Sequence, residues 1–225
     1  MSIRIAPSVL SADVAHLARD IAAAERGGAD LLHVDVMDGY FVPNIAMGPP
    51  VVKAIKKVTK VPLDVHLMIE EPDRYLDAFA DAGASYLSVH VEVLPHLHRT
   101  IAAIKKCGLK AGAVLKPSTP VVMLENVAAD VDYVLVMSVD PDAPGQPVVW
   151  QSLDKIRAVR ARLDDAGNAA PVEVDGVVDP QTVGDLVAAG AEILVAGQAV
   201  FGTRDPEQAV RDLRAAALHA RAARS

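Results

Sequence analysis

LLHVDVMDGYFVPN, residues Leu31 to Asn44, packs a histidine, two aspartates and a methionine into a run of strand-forming residues. Leu31, Leu32, Val34 and Val36 favour extended backbone, and Gly39 with Pro43 closes the run with a turn. Alternate side chains of a strand share a face. His33, Asp35 and Met37 therefore point one way, and Leu32, Val34 and Val36 the other. A histidine and a carboxylate two apart on one face can share a metal ion. Taken alone, they could equally be a structural hydrogen-bonded pair at a strand end.

The same stretch is one copy of a recurring shape. ERGGADLLHV (25–34), DAGASYLSV (81–89) and AAGAEILVA (188–196) each read as a helix end, a glycine with an alanine or near equivalent, then a strand. Outward from these, strand-like runs fall at Ile3–Val9, Leu31–Val36, Leu63–His66, Tyr86–His90, Lys110–Leu115, Tyr133–Met137, Val172–Val174 and Ile193–Ala196. Helix-like stretches follow each: Val14–Arg26, Pro50–Lys57, Pro72–Ala82, Leu97–Cys107, Pro120–Val127, Leu153–Asp165, Pro180–Ala189 and Pro206–Ala222. Glu71, Thr119, Asp179 and Asp205 stand before first-turn prolines as caps. Gly27-Gly28, Gly83, Gly108 and Gly190 stand where helices should end. From Arg211 the tail is rich in Ala and Arg and reads as a helix fraying into solvent.

Eight βα units in a row predict a parallel sheet with right-handed crossovers, and eight close naturally into a single (β/α)8 TIM barrel spanning residues 1–225. The chain is shorter than the ~250 residues typical of that fold, so its loops must be short. A doubly wound open sheet would want a glycine-rich loop after the first strand, and APSVLSAD (6–13) is not one. With 52% hydrophobic but only 4% aromatic residues, the core must be built from Ala, Val, Leu and Ile. That composition suits helices packed on a buried parallel sheet.

A net charge of −7 argues against nucleic acid or an anionic membrane as partner. Cys107 is the only cysteine, which excludes an intrachain disulfide and a cysteine-rich metal cluster. The opening MSIRIAPSVLSAD lacks the apolar run of a signal peptide, and no stretch approaches the ~20 apolar residues of a membrane span. A cytoplasmic protein is expected. It is also expected to associate with copies of itself, with Trp150 or the Ala-rich last helix as candidate surfaces.

In a barrel, function sits at the C-terminal ends of the strands. Reading those ends in order gives Ser8; then His33, Asp35 and Met37; then His66 and Met68 from VPLDVHLM; then Met137; then Asp175 from VEVDG; then Gly197. Two histidines and two aspartates are a plausible set for one divalent ion, and zinc, iron, manganese and cobalt all suit it. Two carboxylates across a metal can work on opposite faces of a substrate. One removes a proton alpha to a carbonyl, and the other returns a proton to the opposite face, which is epimerisation. Met37, Met68 and Met137 would wall the planar intermediate, although core filling explains methionines equally well.

APSVLSAD, HVDVMDGYFVPN, DVHLMIEEPDRY, SVHVE, LKPSTP, VEVDG and VAGQAVFG together resemble the ribulose-phosphate 3-epimerase family, in the right order from Ile5 to Phe201. The resemblance implies a (β/α)8 barrel that interconverts ribulose 5-phosphate and xylulose 5-phosphate. It implies one divalent metal at His33, Asp35, His66 and Asp175, with Asp35 and Asp175 as the acid/base pair and Ser8 and His66 at the substrate. Phosphate would be held by backbone amides of three loops, here carrying Asp142, Gly145, Gly176, Val177, Gly197 and Gln198. Those loops depart from the family pattern. VDPDAPGQ (139–146) replaces a glycine run, Val177 replaces a glycine, and Gln198 replaces a serine. Pro144 has no N–H to offer, Asp142 would repel phosphate, and Val177 would resist a positive φ. A related sugar or polyol, perhaps unphosphorylated, is the alternative substrate; a catalytically silent metal- or sugar-binding barrel is the third reading.

Overall fold

The alternating pattern becomes strands and helices in the computed structural model, which describes residues 3–141, 147 and 149–222. The strands are β1 (Arg4–Pro7), β2 (Leu32–Asp38), β3 (Ile45–Ala46), β4 (Leu63–Met68), β5 (Tyr86–His90), β6 (Lys110–Leu115), β7 (Tyr133–Met137), β8 (Val172–Asp175) and β9 (Ile193–Ala196). The helices are α1 (Leu17–Arg26), α2 (Pro49–Lys56), α3 (Leu76–Ala82), α4 (Leu97–Lys106), α5 (Gln151–Asp165), α6 (Val183–Ala189), α7 (Gln198–Phe201) and α8 (Pro206–Ala222).

The sheet runs β1-β9-β8-β7-β6-β5-β4-β2-β3, and every pairing is parallel except the short β2–β3 hairpin. A parallel bridge between Ser8 and His33 joins β1 to β2. Below it, the amides of Asp30 and Leu31 donate to the Ile5 carbonyl at 2.9 and 3.4 Å. The eight parallel strands thus close into the expected (β/α)8 barrel. Val34, Val36, Leu63, Val65 and Leu67 are buried in the layer between strands and helices. The β-branched side chains of that layer suit the pleat and bury apolar area against α1 to α8.

Several local expectations change. Pro120–Val127 is not a helix but a 3-10 turn over Val121–Leu124. The carbonyls of the segment leading into it are gathered by a lysine from α5. Lys155 Nζ donates to the carbonyls of Lys116, Pro117 and Thr119 at 2.6, 2.7 and 2.6 Å. Asp205 caps as expected, accepting from the amide of Gln208, whereas Asp179 closes a turn by accepting from the amides of Gln181 and Thr182, because α6 starts only at Val183. Glu71 makes no cap bond, and the Thr119 hydroxyl is drawn to Glu92. The last helix does not fray from Arg211. Leu213 and Ala217 are buried, and Arg214 donates to Asp30 and to the carbonyls of Ile3 and Gly28. Gly83 and Gly190 end α3 and α6 at φ of 100° and 117°, the left-handed region where a side chain would be strained. No described helix is long and apolar enough to cross a membrane.

Candidate functional site

Register decides which side chains meet. His33 pairs with Asp64 across β2 and β4, Asp35 with His66, and Met37 with Met68. Around the barrel, Leu135 pairs with Glu173, and Met137 with Asp175. Both residues of each of these pairs turn inward, so the interior carries a polar column where barrels of this class are usually filled by Val, Ile and Leu.

At the upper end of that column, His33, Asp35, His66 and Asp175 each bring one ligand atom within 4.8 Å of the others. His33 Nε2 lies 3.2 Å from Asp35 Oδ1 and 4.0 Å from Asp175 Oδ2. His66 Nδ1 lies 3.3 Å from Asp35 Oδ1 and 3.9 Å from Asp175 Oδ2. The Ser8 hydroxyl donates to Asp35 Oδ2 at 2.5 Å. Burial alone would raise the Asp35 carboxyl, but His33 and His66 overcome it and hold Asp35 well below the usual carboxylate range. Burial, reinforced by the charge of Asp35, pushes Asp175 up to about 6. His33 is held well above its ordinary value: burial opposes its charge, yet Asp35 and Asp64 outweigh that.

This donor set fits a metal ion. Imidazole nitrogens and carboxylate oxygens suit zinc, iron, manganese or cobalt. One of these donors, His33 Nε2, is buried and has no hydrogen-bond partner among the described residues. A buried nitrogen aimed at three other donors is what a cation site requires.

Above the cluster a cleft of about 580 Å³ opens at the strand ends. Ser8, Asp35, Met37, Met68, Met137, Asp175, Gly176, Val177, Gly197 and Gln198 all line it, joined by Ser11 and Asp140, which the sequence reading did not single out, and by Asp179, which it read only as a helix cap. His33 and His66 are fully buried and are not among the lining residues. Gly176 has φ +132°, and a Cβ there would run into Ser138 Oγ. A Cβ on Gly197 would come within 2.5 Å of Ser11 Oγ. Val177 has no positive φ, since Met47 is the only described non-glycine residue that does. Its amide donates to Ser138 Oγ at 3.2 Å, so the valine follows an ordinary backbone path rather than resisting a glycine's. Gln198 Oε1 folds back beside Gly202. Asp142 and Gly145, expected at the phosphate end, and Ala143 and Pro144 between them lie outside the described residues.

Beneath and beside the cluster lie residues the sequence reading left out. Asp64, Tyr133 and Glu173 are fully buried under His33. His90 and Glu92 stand behind His66, and burial pushes His90 down to about 4. The signal was present: Asp64 and Glu173 stand two residues before His66 and Asp175 on the same strand faces.

Fold and site define a class: (β/α)8 barrels with an imidazole–carboxylate cluster at the mouth. By fold, the chain is similar to 3-hexulose-6-phosphate synthase from Salmonella typhimurium, with a TM-score of 0.73, 18% identity, and 97% and 100% of the two chains covered. A tryptophan synthase alpha-subunit from Pyrococcus furiosus gives 0.67 at 16% identity, with 97% and 98% covered. Sequence is more particular. The model of the ribulose-phosphate 3 epimerase family matches residues 4–201, and the chain belongs to that family. Ribulose-phosphate 3-epimerase from Bacillus subtilis (strain 168) is 53% identical over 213 residues, 94% of this chain and 98% of that one. The protein of that name from Synechocystis is 49% identical (95% and 94% covered), and that from Escherichia coli K12 is 44% identical (93% and 94%).

Proposed function

We propose that the chain is a metal-dependent ribulose-phosphate 3-epimerase, inverting C3 between D-ribulose 5-phosphate and D-xylulose 5-phosphate, with residues 1–225 acting as one barrel domain. The observation that carries the reading is the convergence of Asp35 and Asp175 on one cleft over His33 and His66, in a chain about half identical to named epimerases. Epimerisation at a carbon next to a carbonyl needs an acid or base on each face of the substrate. The two carboxylates come from β2 and β8, separated round the barrel by β1 and β9.

Asp35, kept ionised and oriented by Ser8, takes the C3 proton from one face. Asp175 delivers a proton to the other, and the roles exchange for the reverse reaction. His33, Asp35, His66 and Asp175 would hold the metal, which when bound supplies positive charge against the developing enediolate oxygens. Met37, Met68 and Met137 line the cleft as apolar walls that exclude water from the planar intermediate. Gly176 and Gly197 line the cleft, where the phosphate would lie. The enzyme is further taken to work in the cytoplasm as a homo-oligomer; exposed apolar side chains at Tyr40, Ile45 and Trp150 support association.

The test is turnover of ribulose 5-phosphate in deuterium oxide by protein loaded in turn with zinc, iron, manganese and cobalt. Xylulose 5-phosphate carrying deuterium at C3 is expected. No product and no label with any of the four ions would refute the assignment.

A further inference from the structure

Each histidine of the cluster has two ring nitrogens, and only one can face the cluster. Which one does so is set by what holds the other. For His33 the holder is Asp64. His33 Nδ1 donates to Asp64 Oδ2 at 2.5 Å, and Asp64 Oδ1 accepts from the Tyr133 hydroxyl at 3.0 Å. All three side chains are fully buried. The tyrosine ring is itself fixed by Gly112: a Cβ there would lie 2.7 Å from two of its ring carbons. A column of contacts thus runs Gly112, Tyr133, Asp64, His33, and leaves Nε2 aimed at the cluster.

His66 is held by a different chain. Glu92 accepts from His90 Nδ1 at 3.0 Å. The same carboxylate also accepts from the Lys116 amide and the Thr119 hydroxyl. A carboxylate so engaged can only accept, so His90 Nδ1 carries the hydrogen and His90 Nε2 is the acceptor. His66 Nε2 stands 2.9 Å from that acceptor and must donate to it. His66 is left with a bare Nδ1, which faces Asp35 and Asp175. The two rings are therefore presented through opposite nitrogens to the same point.

We propose that Asp64, with Tyr133, and His90, with Glu92, are positioning residues that fix these two nitrogens on the metal. The proposal rests on the metal-dependent reading above. None of the four lines the cleft, so they act through the ligands and not on the substrate.

The experiment measures divalent-metal affinity by chelator competition, and the visible spectrum of the cobalt-substituted protein, in Asp64→Asn, Tyr133→Phe, His90→Leu and His90→Gln. Val65→Ala is the control: it is buried between Asp64 and His66 but faces the helices, so it reports core damage alone. Asp64→Asn and His90→Leu should each lower affinity by ~10- to 100-fold and shift the cobalt spectrum. Tyr133→Phe should do less, and His90→Gln, whose side-chain oxygen can still accept from His66, should recover part of the loss. Val65→Ala should lower the melting temperature and leave affinity unchanged. Affinities for folded Asp64→Asn and His90→Leu within ~3-fold of wild type, against that expected loss, would overturn the proposal. So would two ions per wild-type chain, because a cation would then occupy the space among His33 Nδ1, Asp64 and Glu173. Absence of any bound ion in the wild type would instead refute the metal-dependent function itself, and this inference with it.

Discussion

Asp35 and Asp175 are chemically the same side chain placed in opposed environments. Asp35 sits between two imidazoles and a serine hydroxyl, whereas Asp175 is partly buried beside a like charge. Groups driven apart in this way can divide acid and base roles in one site. Asp35→Asn and Asp175→Asn should each lower turnover by ~10²-fold or more. Exchange of the C3 proton with deuterium oxide, measured from each epimer, should separate them: a variant lacking one base still exchanges the epimer served by the other. A wild-type rate in either variant would remove the two-carboxylate mechanism.

At the scale of elements, the crossover between β6 and β7 is the one that lacks an α-helix among the described residues. Lys155 of α5 compensates by collecting three carbonyls of the turn over residues 116–119. Replacement by Met keeps the stem and strands those acceptors. Lys155→Met should destabilise the fold by roughly 1.5–3 kcal/mol, the range for hydrogen bonds to a charged group. Urea unfolding checks it, and a midpoint equal to wild type would mean water replaces the ammonium without loss. The same turn is tied to Glu92, which accepts from Lys116 and Thr119, so this helix-poor crossover is braced from two sides.

For the whole molecule, acid and metal are the two levers. Burial opposes the Glu92 charge, but His90, Thr119 and Lys116 bind its carboxylate and lower it to about 2, from an ordinary 4.5. The folded state thus binds fewer protons than the unfolded chain between those values. The Glu92 contribution is complete above about pH 4.5 and is lost as pH falls toward 2. Melting temperature against pH should therefore fall less steeply over that window in Glu92→Gln than in wild type; parallel curves would contradict it. A ligand that binds only the folded state stabilises it by mass action. Chelation should lower the melting temperature as well as abolish turnover, and restoring the ion should recover both. Loss of activity without a thermal shift would place the ion outside the folded core of the site.

The sequence by itself determined the barrel, because period-two strands, period-3.6 helices and glycine stops are local properties that each segment carries alone. It also marked His33, Asp35, His66 and Asp175, since a two-residue spacing on a strand forces side chains onto one face. Tertiary structure alone decided what stands behind them. Tyr133 lies 69 residues from Asp64, and His90 lies 24 from His66. Only barrel closure and strand register bring such residues within hydrogen-bond reach. The turn at Val121–Leu124 was misread for the same reason. Its local pattern favours a helix, but the carbonyls leading into it, at residues 116, 117 and 119, are held by a lysine side chain from another element. Val177, read as an obstacle to a glycine-like backbone, was likewise settled by a distant partner, Ser138, which fixes its amide on a path any residue can follow. Local signals specify which faces and which elements exist; which nitrogen of a histidine is free, and which loop needs no helix, depends on partners that only the closed barrel assembles.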